Sequence, residues 1–183
     1  MSRRAAAVAC FALLAAGCAP DTAVQVADPV SADGCDPATT AAVASGFYRE
    51  IVARNPRGLP SSSDMRALAP LLSSDLQTAI EAARVRQRAA MEARPDEKPP
   101  FVEGSLFTSL FEGPTSVVSA EADAGTPARV AVTLQYDGGG SSTWTDHLQL
   151  RCEDARWRVD DVAFGGDWAF ASQGSLRAAL DAE

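Results

Sequence analysis

Two carboxylates, Asp146 and Asp161, and three aromatics that carry a polar atom, Tyr48, Tyr136 and Trp144, are the residues best suited by type to form a chemical site. Asp146 shares strand parity with Trp144, Leu148 and Leu150, so two-residue alternation turns its carboxylate toward the apolar face. A tight turn at Asp154-Ala155 sets Glu153 opposite Arg156. That register puts Cys152 by Trp157, Leu150 by Val159 and Leu148 by Asp161, and Asp146 and Asp161 then meet diagonally on one face. A sheltered pair of acids beside Tyr48, Tyr136 and Trp144 would suit general acid–base chemistry or the binding of a cation. The same residues have a plainer reading, in which each aspartate is satisfied by arginine or backbone donors.

Asp160-Asp161 is not a carboxylate dyad on a regular strand, because adjacent side chains point to opposite faces. The apolar parity switches there, from Trp157 and Val159 to Val162 and Phe164. A bulge would account for the switch, either re-aiming an acid or simply bending the sheet. His147, the only histidine, falls on the polar parity with Thr145 and Gln149 and is expected to face solvent. No serine or cysteine sits with a histidine in a recognisable nucleophile motif. No histidine–cysteine cluster has zinc-ligand spacing. Catalytic residues, a metal and a cofactor are therefore not expected.

The elements that would position these residues change character near Pro95–Pro100. Before that point the apolar period is helical. Asp36-Pro37 reads as a helix start. Val43, Phe47 and Ile51 form its stripe, and Asn55-Pro56 ends it. Ser63 is expected to cap a short helix through Leu72, and Ser73 or Ser74 a longer one to about Arg94. After Pro100 the period is two, with a weaker strand at Thr115–Ala122 followed by three stronger ones. Short links at 123–127, 137–142 and 154–155 require antiparallel neighbours. Ser172 or Ser175 would cap a last short helix. The expectation is an α+β domain, with N-terminal helices packed on one face of a curved antiparallel sheet of about four strands and a short C-terminal helix.

The N-terminus is of a different kind. Arg3 and Arg4 precede an apolar, alanine-rich run that is too short to span a bilayer and has the form of a secretory signal. Leu14-Ala15-Ala16-Gly17-Cys18 resembles the lipobox of bacterial lipoproteins. The resemblance implies a signal at 1–17, cleavage before Cys18, acylation of its thiol and a lipid anchor in the membrane. Ala19 after the cysteine, where an aspartate often retains lipoproteins at the inner membrane, favours the periplasmic face of the outer membrane in a diderm cell. The alternative is a secreted protein with a chance cysteine in its signal. Residues 18–34, with Pro20, Pro29, Gly34 and few large apolar side chains, read as a tether, and 35–183 as one domain. With Cys10 removed and Cys18 acylated, Cys35 and Cys152 remain. An even pair in an oxidising compartment is expected to bond, against the alternative of two buried thiols.

The chain has 183 residues and a formal charge of -8, which becomes -10 when Arg3 and Arg4 leave with a signal. Such acidity argues against nucleic acid as a partner. Gly104–Gly113, reading GSLFTSLFEG, and Arg156–Phe164, reading RWRVDDVAF before Gly165-Gly166, resemble an uncharacterised family of bacterial lipoproteins. Its domain is similar to the cone of nuclear transport factor 2 and ketosteroid isomerase. The resemblance implies that cone over about 36–180, leaves a homodimer through the sheet open, and carries no activity, because the cone serves enzymes and binding modules alike. The function expected is that of an extracytoplasmic, membrane-anchored module that binds or braces an envelope protein. A small-molecule or acid–base pocket at Asp146 and Asp161 is the competing reading.

Overall fold

The computed structural model describes residues 34–182. The signal, Cys18 and all of the tether except Gly34 lie outside the described residues. Asp36 accepts the Ala38 amide and opens a 3-10 turn, Pro37–Thr39, that leads into α1, Thr40–Arg54. Ala44, Phe47, Tyr48 and Ile51 form the buried stripe of α1. Asn55 stops the helix in a left-handed conformation, φ 44°, one residue before Pro56.

The next helix departs from expectation. Ser61, not Ser63, caps α2, Ser62–Leu68, in a reciprocal capping box with Asp64. α2 does not reach Leu72. Pro70 has no amide to continue the helical ladder, and the chain tightens into a 3-10 turn at Ala69–Leu71. Ser73 then caps α3, Ser74–Ala93, by accepting the Leu76 amide. α3 buries Leu76, Ile80 and Ala83 at helical spacing.

Four strands follow: β1 Ser116–Asp123, β2 Thr126–Tyr136, β3 Ser142–Glu153 and β4 Arg156–Ala163. They form an antiparallel meander in the order β1-β2-β3-β4. Asp154 and Ala155 both take positive φ, 50° and 57°, and make the tight turn between β3 and β4. Val130, Val132, Leu134, Trp144, Leu148, Leu150, Val159 and Val162 turn inward and join the stripes of α1 and α3 in one core. α4, Leu176–Asp181, capped by Ser175, adds Leu176 and Leu180. The fold is thus α+β, with N-terminal helices on a four-strand antiparallel sheet and a short C-terminal helix.

A disulfide joins Cys35 to Cys152 across 117 residues of chain, fastening the start of the domain to the end of β3. Disulfides persist in oxidising compartments. No helix among the described residues is long and apolar enough to cross a membrane.

Candidate functional site

Asp146 is fully buried, as its parity required, yet no arginine or lysine among the described residues pairs with it. It is held instead by neutral donors. Oδ2 accepts the Thr108 hydroxyl at 2.7 Å, the Trp144 indole N–H at 3.0 Å and the Ser109 amide at 3.1 Å. Oδ1 accepts the Gly165 amide at 3.0 Å and the Ser109 hydroxyl. The proton directions follow from the partners. The Ser109 hydroxyl already receives the amides of Gly165 and Gly166, at 3.0 and 2.9 Å, so its own proton goes to Asp146. The Thr108 hydroxyl likewise receives the Trp144 N–H at 3.0 Å and donates to the carboxylate.

Tyr48 comes up from α1 beneath this centre. Its hydroxyl donates to the Phe107 carbonyl at 3.1 Å, with Asp146 Oδ2 at 3.4 Å. Burial, and then the neighbouring Asp146 charge, push the Tyr48 phenol well above its ordinary range, so it stays neutral. Phe107, fully buried, packs edge-on against Phe47 with ring centres 5.8 Å apart. This contact plants the loop 104–113 on α1.

The second loop, after β4, approaches too closely for any side chain. A Cβ at Gly165 would lie 2.0 Å from the Thr145 carbonyl oxygen, and one at Gly166 would lie 2.8 Å from Ser109 Cβ. The Ser172 amide adds a bond to the Ser109 carbonyl at 2.9 Å. Trp168 lies edge-on to Trp144, centres 5.9 Å apart. Asp146 therefore ties together β3, the 104–113 loop and the 165–172 loop.

Of the five residues grouped by sequence, the structure brings three together: Tyr48, Trp144 and Asp146. Tyr136 shares their face of the sheet, but its hydroxyl lies over Gly138 in the β2–β3 turn, where a Cβ would sit 2.1 Å away. Asp161 is elsewhere. Leu150 pairs with Val159, but Gln149 pairs with Asp161 and Leu148 with Val162. Asp160 is the extra residue of a bulge, and the shift turns Asp161 to the parity of Gln149, the face opposite Asp146. The expected facing of Leu148 and Asp161 is thus corrected by one residue. Asp161 accepts the amides of Val162 and Arg177, at 2.8 and 3.0 Å. Asp160 accepts the Ser73 hydroxyl at 2.6 Å and pairs with Arg177 at 2.6 Å and Arg151 at 3.2 Å. The bulge fastens the start of α3 and α4 to the sheet edge.

His147 lies on the outer face but is half-buried, not open to solvent. It shares a polar hollow of about 410 Å³ with Arg129, Asp161 and Arg177. Among the described residues no group of acids, histidines and cysteines has metal-binding geometry.

Sequence reasoning missed Thr108 and Ser109. Their signal was two hydroxyl residues in the middle of an apolar run, Leu106-Phe107-Thr108-Ser109-Leu110-Phe111, because hydroxyls in a buried segment need an acceptor. What the centre does chemically is brace: its oxygens are saturated and no atom of Asp146 reaches solvent. Compared with protein-family models, with curated proteins and with solved structures, the chain shows no match.

Proposed function

We propose that this chain is a membrane-anchored, extracytoplasmic lipoprotein whose domain binds or braces a protein partner in the cell envelope. The single observation behind this reading is where the buried acid spends its bonding capacity. Asp146 and Ser109 fasten two loops together, and one of them carries Phe170 with 92% of its surface exposed. A large aromatic held in solvent on a braced loop loses little freedom on docking, which favours its use as an interface anchor. The saturated Asp146 and its separation from Asp161 speak against the acid–base alternative. The disulfide supports an extracytoplasmic location.

The test is site-specific photocrosslinking from position 170 in the native envelope, with intact mass of the purified native chain. The proposal expects a discrete protein adduct from position 170 that is absent from position 85, also exposed. It also expects a mass corresponding to a chain that begins at Cys18 and carries acyl groups. A chain that still begins at Met1 without acyl groups overturns the lipoprotein part. Equal, diffuse adducts from both positions overturn the partner part.

A further inference from the structure

We draw no further inference here: the strongest candidate, the polar hollow on the outer face of the sheet between β2, β4 and α4, is walled by Asp160 and Asp161, whose bonds go to Ser73, Arg151, Arg177 and backbone amides within the fold, and nothing in the structure shows what would fill it.

Discussion

Asp146 is an acid in a core position without a counter-ion among the described residues, and its worth lies in what its removal strands. An asparagine there would aim an N–H group at donors and strand either the Ser109 hydroxyl proton on one side or the Thr108 hydroxyl proton and the Ser109 amide on the other. A buried donor left without a partner costs about 1–3 kcal/mol. Asp146→Asn should therefore lower stability by about 2–5 kcal/mol in urea unfolding. Asp161→Asn should cost about 1 kcal/mol or less, because a side-chain carbonyl still accepts the Val162 and Arg177 amides it now serves. Equal costs would contradict the separate environments described for the two acids. Tyr48 supplies a pH dependence. Its phenol is raised in the folded state, so its contribution is complete below the unfolded value of about 10 and is lost as pH rises toward the folded value. In a Tyr136→Phe background, phenolate absorbance should appear only together with loss of the near-ultraviolet dichroism, in one alkaline transition. Phenolate formed before that loss would show an accessible hydroxyl. The inward direction of Asp146 was legible from strand parity. Its partners were not, because they come from a loop and a post-strand turn that carry no period.

At the scale of elements, caps and bulges decide where helices sit on the sheet. Ser73 does two jobs: its hydroxyl receives the Leu76 amide at the head of α3 and donates to Asp160 in the bulge. Ser73→Ala should cost about 1–2 kcal/mol, and more than Ser61→Ala, whose capping box is exposed. Thermal unfolding of the two variants checks the order. The helical and strand periods, the Asn55-Pro56 stop, the two helix caps to within a choice of two serines each, settled as Ser73 and Ser175, and the parity switch at Asp160 could be read in advance, since each is a local rule. What could not be read was the consequence of the bulge. A shift of one residue moves a side chain to the other face, and the diagonal meeting of Asp146 and Asp161 rested on a register without that shift. The short second helix was misjudged for a local reason, the missing amide of Pro70.

Taken whole, the molecule has two ends. Chain entry and the disulfide lie at one, and the loops joined through Asp146 at the other, separated by the length of β4. The disulfide is the only covalent bond across this chain's described core, and the 117-residue span it closes predicts about 4–5 kcal/mol of stabilisation in the chain-entropy view. Reduction should lower the urea midpoint by a corresponding amount without changing the helical signal at zero denaturant. A Cys35→Ser, Cys152→Ser variant that unfolds at the same midpoint would refute that contribution. The crosslink also bears on what a backbone cut would do. Exposed tips of small residues are preferred sites of nicking, and the exposed glycines 138–140 fall inside the loop the two sulfurs close. A cut there yields halves that stay joined until a reductant is added, so a nicked copy travels as one piece and keeps whatever attachment its N-terminus provides.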